Sequence, residues 1–315
     1  MTKRKPVSKV LEKTDDQRLK RQLELSQDVL AFAVSELGLP NTKSYRSYVQ
    51  LDKEYPVWNV VAAGEFSLQA EQWCYIVIGC ATYRGYFALE NAERYAAKIR
   101  KEGLDTHVRG AVAYSTLGWF RDPLLSSMFR YGDLYLVEIL IHEIAHQQLY
   151  LDNWTDLNES FANVVAAEGV RRWLADKSPS AWSQYQDRKQ ASRDFALLVK
   201  DLKASLNVIY SGNLNLLDKR QAKQAALAEF RRKYDSLKNQ KWKGRGWYDN
   251  WMSKPLNNAR LAGYSTYQDY VPDLERLLVA CDNDLPRFYA TIAALDKKQA
   301  TAEGKDLPAE CRLEQ

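Results

Sequence analysis

Residues 134–150, LYLVEILIHEIAHQQLY, constrain the fold of this chain more than any other segment. Leucine, isoleucine, valine and alanine fall on most sides of a helical wheel drawn through it, so a helix here belongs in the centre of a protein. The same segment carries His142, Glu143 and His146. Hiding two imidazoles and a carboxylate in apolar surroundings without partners costs on the order of several kcal/mol. Only three histidines occur in the 315 residues. The accidental occurrence of two of them four apart around a glutamate is therefore a matter of about a few in a thousand. Whatever packs around this helix has to put those three groups to use.

Residues four apart on an α-helix stand one turn from each other on one face, so His142 and His146 can grip a single Zn²⁺. Glu143 is rotated by about 100° from His142, beside such an ion and near its water. Those are the parts that turn water into a nucleophile. Zinc in a hydrolytic site takes three protein ligands and keeps a fourth position open. The remaining histidine, His107, falls in a segment that reads as a strand, and its spacing does not recommend it. Glu159, in DLNESFANVVAAEG, is the better candidate, because residues 147–158 suffice for a tight connection that folds a second helix back on the first. Glu168, more than two turns further along that helix, is the alternative.

The length allows one large domain or two small ones, and 27% charged with 46% hydrophobic residues is the balance of a globular protein. A net charge of +5, from 45 basic and 40 acidic residues, is too thinly spread to mark a nucleic-acid partner. No apolar run reaches the roughly 18 residues of a membrane span, and the basic first residues lack the apolar stretch of a secretory signal. The pattern predicts an α+β fold. Residues 1–133 form a mixed α/β part: a helix over 14–38 capped by Thr14 or Asp15, strands at 57–68, 73–80 and 106–115, and a helix at 90–102. Residues 134–300 form a mainly helical part. It holds helices at 134–150 and 157–175, a long antiparallel hairpin over 182–237, a Gly- and Trp-rich loop at 241–251 and short helices over 256–295. A loosely held tail follows at 301–315, and the parts are expected to make one integrated domain. Cys74 and Cys80 are close enough for a short disulfide loop, but WCYIVIGC reads first as a buried strand with small core cysteines.

Two of these segments carry a resemblance. HEIAHQ followed by LNESFA is similar to the motif pair of the gluzincin aminopeptidases, zinc enzymes whose third ligand is the glutamate of the second motif. The interval between the motifs is shorter here. A closer likeness is to the bacterial "predicted aminopeptidase" family, through YPVWNVVAA (55–63), YRGYF (83–87), AYSTLGWFRDPLL (113–125), HEIAHQQLY (142–150), LNESFA (157–162) and PLNNARL (255–261), over about residues 6–295. The resemblance implies a zincin-like domain with one Zn²⁺ and a peptide substrate. It also implies a periplasmic or envelope location, commonly behind a lipoprotein-type signal that supplies a lipid anchor.

With zinc on His142, His146 and Glu159, Glu143 is expected to accept a proton from water and return it to the leaving amine. A tyrosine hydroxyl beside the metal is expected to stabilise the intermediate, with Tyr267 the first candidate and Tyr264 and Tyr114 after it. The stretch containing Tyr114, Ser115 and Thr116 is read as a strand edge along which a peptide lies. Asn158 is expected to position Glu159 or the substrate, and Asn257 and Asn258 to line the cleft. Two competing readings share the motif. One is a zinc endopeptidase, separated by its indifference to a free amine, and the other is a non-catalytic envelope binding or quality-control protein.

Overall fold

The computed structural model describes residues 4–75, 79–113, 121–151, 154–175, 178–264, 270–295, 307–308 and 310–311. Its architecture is α+β, with small sheets and long helices. The chain opens with β1 (Lys5–Pro6), α1 (Val7–Leu11), α2 (Gln17–Ser35) and β2 (Ser47–Val49). The cap of α2 is Asp16, not Thr14 or Asp15: its carboxylate accepts from the backbone N–H groups of Arg18 and Leu19. The orphan donors of a first turn lie two and three residues beyond the cap, and only Asp16 is in that register. Leu23, Val29, Leu30 and Ala33 of α2 are buried, and Gly38, at φ +63°, turns the chain away after the helix.

Next come β3 (Val57–Ala63), β4 (Trp73–Tyr75), β5 (Gly79–Ala81), β6 (Arg84–Tyr86), α3 (Leu89–Lys101) and β7 (Asp105–Ala111). Strands β6, β3 and β7 form an antiparallel sheet in that order, with Val60 opposite Val108 and Val61 opposite His107. α3 lays Ala92, Ala96 and Ile99 over Val60 and Ala62. Residues 73–80 are not one buried strand. Trp73–Tyr75 and Gly79–Ala81 are two paired antiparallel strands, β4 and β5, in which Cys74 and Cys80 are directly opposed, exposed and joined by a disulfide. Opposed positions of an antiparallel pair put both side chains on one face, which is how two cysteines six apart come to meet. The strand expected over 57–68 ends at Ala63, where Ser67 N–H bonds back to the Gly64 carbonyl in a turn.

β8 (Leu124–Leu125), α4 (Asp133–Gln148) and α5 (Thr155–Leu174) follow, β8 pairing in parallel with β2 to complete a β1–β2–β8 sheet. The expected hairpin is present as α6 (Pro179–Ser211) and α7 (Leu216–Ser236). It packs Phe195, Val199, Leu202 and Leu206 with Leu227, Phe230 and Tyr234. The segment expected as a loop at 241–251 is a packed corner. A π-turn at Leu237–Lys241 leads into it, Trp242 is buried, and Tyr248 stacks on Phe195 at 3.9 Å. The short helix α8 (Asp249–Met252) and then α9 (Asn258–Gly263) complete this part. The chain ends through α10 (Val271–Ala280) and α11 (Leu285–Ala293). Beyond them Cys311 is disulfide-bonded to the fully buried Cys281.

The chain divides into two compact units, 1–56 with 112–178 and 267–315, and 57–111 with 179–266. Each unit draws on both sides of residue 133. No helix among the described residues is long and apolar enough to cross a membrane.

Candidate metal centre

α4 begins at Gly132, whose φ of +93° suits a residue without a side chain. It buries Leu136, Val137, Leu140, Ile141, Ile144 and Ala145, packed between α2 and α5. α5 answers with Leu157, Phe161, Val164 and Val165, each side chain contributing about 1.5–3 kcal/mol by its burial. The two helices approach closely because α5 carries Gly169: a Cβ there would lie 2.8 Å from Ile141 Cδ1 and 2.9 Å from Leu37 Cδ1. Their connection is locked by Asn158, which is 2% exposed. Leu151 N–H donates to its Oδ1 at 2.9 Å, and its Nδ2 donates to the Leu151 carbonyl at 2.8 Å. Both backbone groups of a turn residue are thereby satisfied, and the next residue, Glu159, is carried back to α4.

His142 Nε2 lies 3.1 Å from His146 Nε2 and 3.4 Å from Glu159 Oε2, and His146 Nε2 lies 3.5 Å from Glu159 Oε1. The two rings are nearly perpendicular, at 88°. Ligand atoms placed tetrahedrally at zinc–ligand distances of about 2.0–2.1 Å stand about 3.3–3.4 Å apart. The His142–His146 separation and the two imidazole–carboxylate contacts, made to different oxygens of Glu159, lie near that value, and with one ligand atom from each side chain all three lie within 4.8 Å, a group that can hold a metal ion. His146 is 6% exposed, His142 18% and Glu159 31%, so the group opens toward solvent on the His142 and Glu159 side. Burial, and then the neighbouring His142, pull the His146 pKa down to about 4. Burial by itself would raise the Glu159 carboxyl, but contact with His142 and the charges of both histidines hold it below the usual carboxylate range. A neutral imidazole and an ionised carboxylate are the forms in which such groups bind a cation. Glu143 follows His142 on α4 and is partly exposed.

Glu168 stands elsewhere in its chemistry. Its carboxylate, 7% exposed, takes Arg171 Nε and Nη2 at 2.6 and 2.7 Å and Arg172 Nε at 2.8 Å. Arg172 in turn donates to the carbonyls of Glu36 and Asn283. The E-x-x-R-R spacing was the available signal, since residues three and four apart on a helix are neighbours. His107 is in the second unit, on β7. Asn257 and Asn258 are there too: Asn257 caps α9 through Arg260 N–H and donates to the Thr106 carbonyl. Asn258 is fully buried, donating to the carbonyls of Gly64 and Glu65 and accepting from the Tyr210 hydroxyl. Both amides hold α9 against its sheet. Tyr264 is packed against Phe195 and Trp251, and burial pushes its hydroxyl pKa up. Tyr114, Ser115, Thr116 and Tyr267 lie outside the described residues.

Comparison with curated proteins and with solved structures gives no match. A family model described as "Putative aminopeptidase" matches residues 1–307. That span takes in both units and the whole of the α4–α5 group, and the chain belongs to this family.

Proposed function

We propose that this protein is a zinc metallopeptidase that removes N-terminal residues from peptides. One observation carries the reading: two imidazole nitrogens of α4 and a carboxylate of α5 converge, one ligand atom from each lying within 4.8 Å of the others, beside the buried apolar contact of the two helices. Two nitrogen ligands and one carboxylate at near-tetrahedral spacing suit zinc, one ion per chain. When bound, zinc supplies the Lewis acidity that makes water a nucleophile near neutral pH. His146 and Glu159 are already in the protonation states a ligand needs, and Asn158 keeps Glu159 in place by closing the α4–α5 turn. Glu143, one residue along from His142, takes the proton from water and delivers it to the leaving amine. Membership of the family supports exopeptidase over endopeptidase action. The Cys74–Cys80 and Cys281–Cys311 disulfides support a periplasmic or envelope location.

The test is a hydrolysis screen of aminoacyl and N-blocked peptide reporters, with zinc content measured on the same preparation. Free-amine reporters should be cleaved, activity should vanish with a chelator and return with zinc, and Glu143→Gln should keep its zinc while turnover falls about a thousandfold. Equal cleavage of N-blocked reporters overturns the aminopeptidase reading, and a protein that takes up no zinc overturns the metal.

A further inference from the structure

His107 is used by nothing in the metal chemistry, yet its surroundings are unusual. β7 is the end strand of its sheet among the described residues. A cavity of about 610 Å³ lies around it, bounded by Ala96 and Arg100 of α3, Thr106 and His107 of β7, and Lys254 and Asn257 ahead of α9. That volume is in the range of small-ligand sites. The charges around it are lopsided. Arg100 and Lys254 are exposed on its wall, and Arg109 follows two residues after His107 on β7. Arg260 of α9 also acts on His107 and is 3% exposed.

Arg260 donates to the carbonyls of Trp251, Lys254 and Pro255 and lies over the Trp251 ring. Its Nε has no hydrogen-bond partner, and among the described residues the charged group acting on it is another cation, Arg231. The acids nearby do not balance these cations. Among the described residues Glu93 is the one acid on the cavity wall, and Asp105 is taken up by Lys223 and the Asn258 N–H. A buried cation without a counter-charge is costly, and because the charge of Arg260 acts on His107, which lines the cavity, an anion held beside His107 would offset part of that cost.

We propose that this cavity is a second binding site, specific for a carboxylate, which is held by Arg100 and Lys254 beside His107. Arg100 is prepared for it. Its Nε and Nη2 both donate to Thr106 Oγ1, at 3.2 and 2.8 Å, which fixes the guanidinium plane while Nη1 remains for a ligand oxygen. Ala96 is small and buried and Lys254 is exposed, so the carboxylate can arrive on a short stem from solvent. Two sources share this chemistry: a free dicarboxylate, and an acidic side chain of a peptide.

The three histidines make the labelled imidazole spectrum sparse, and His107→Gln assigns the resonance in question. Burial and then the cations Arg260, Arg109 and Lys254 hold the His107 pKa down to about 4. A carboxylate within a few ångströms should raise it by about one unit or more. Zinc-loaded protein is titrated at about pH 5, midway in the expected change, with succinate, with an N- and C-blocked tetraglutamate and with the matching tetraglutamine. Saturable shifts of the His107 ring are expected with a carboxylate probe and not with tetraglutamine. They should weaken with added salt and weaken about tenfold or more in Lys254→Gln and Arg100→Gln. Lys254 is exposed, so its variant carries the test should the Arg100 variant fail to fold. Binding of succinate as tight as that of tetraglutamate assigns the site to free carboxylates, and binding of tetraglutamate alone assigns it to peptides. Equal shifts with tetraglutamine, or none with either acid at about 10 mM, overturn the proposal.

Discussion

Glu159 and Glu168 stand on one helix, both withdrawn from solvent, and differ in what faces them. Glu168 is the more deeply buried, and its oxygens receive two guanidiniums from Arg171 and Arg172 on the same helix. The charge cancels within a turn and the acceptors are filled, so the group is complete. Glu159 faces two imidazole nitrogens, of which His146 is neutral near pH 7. A carboxylate and imidazoles turned toward one point are suited to a cation supplied from outside. Depth of burial is thus a poor guide to which acid is chemical and which structural. The nature of the partners separates them.

The comparison breaks most visibly if Glu159 is not the ligand. Free zinc about a thousandfold above its dissociation constant should stabilise the wild-type fold by about 4 kcal/mol, and Glu159→Gln should forfeit most of that increment while Glu168→Gln keeps it. Denaturant unfolding with and without zinc reads both, and a full increment in Glu159→Gln removes this glutamate from the centre.

The next largest effect belongs to Glu168. Glu168→Gln should destabilise the zinc-free protein by about 2 kcal/mol at pH 7, less than a fully buried pair would lose because its arginines are partly exposed. Burial alone would raise the Glu168 carboxyl, but the two guanidiniums hold it below the ordinary carboxylate range. A depressed folded-state pKa contributes stability above the unfolded value, and that stability is lost as pH falls through the folded one. Wild type and variant should therefore draw together as pH falls below the ordinary carboxylate range and through the depressed folded-state value, as urea midpoints followed from pH 7 into acid would show. A gap that persists in acid would mean that Glu168 stabilises the fold by something other than its charge.

Gly169→Ala should have the smallest effect. The added methyl presses on Ile141 and Leu37, at a cost of about 1–3 kcal/mol, and the better helix propensity of alanine returns up to about 1 kcal/mol. A net loss of about 1 kcal/mol in thermal unfolding is expected, and a stabilised variant would show that α4 and α5 have slack at their crossing.

Local geometry explains why some of this was legible beforehand. The apolar surround of residues 134–150, the hairpin of α6 and α7, and the return of a second helix after a short connection all depend on neighbours along the chain. A run of β-branched and aromatic residues such as 73–80 looks the same whether it is one strand or two paired strands with Cys74 opposite Cys80. Residues 241–251 read as a loop in the sequence because the partner that orders them is remote: Tyr248 and Trp251 pack on Phe195, more than fifty residues earlier. His107 carried no signal at all, since two of the cations around it, Lys254 and Arg260, come from about 150 residues downstream.

The amino-acid sequence by itself determined that His142 and His146 share a face, because four residues make one helical turn wherever that helix lies. It also determined that the helix is central, because its apolar residues leave no side for water. The sequence favours Glu159 over Glu168 as the candidate ligand, but what faces each acid, two imidazoles for Glu159 and two guanidiniums for Glu168, is seen only in three dimensions. The contact of Gly169 with Ile141 and Leu37 and the Asn158–Leu151 lock set the spacing of α4 and α5, and with it the separations of 3.4 and 3.5 Å at the centre. Packing between helices is a non-local quantity, and no spacing along the chain encodes it.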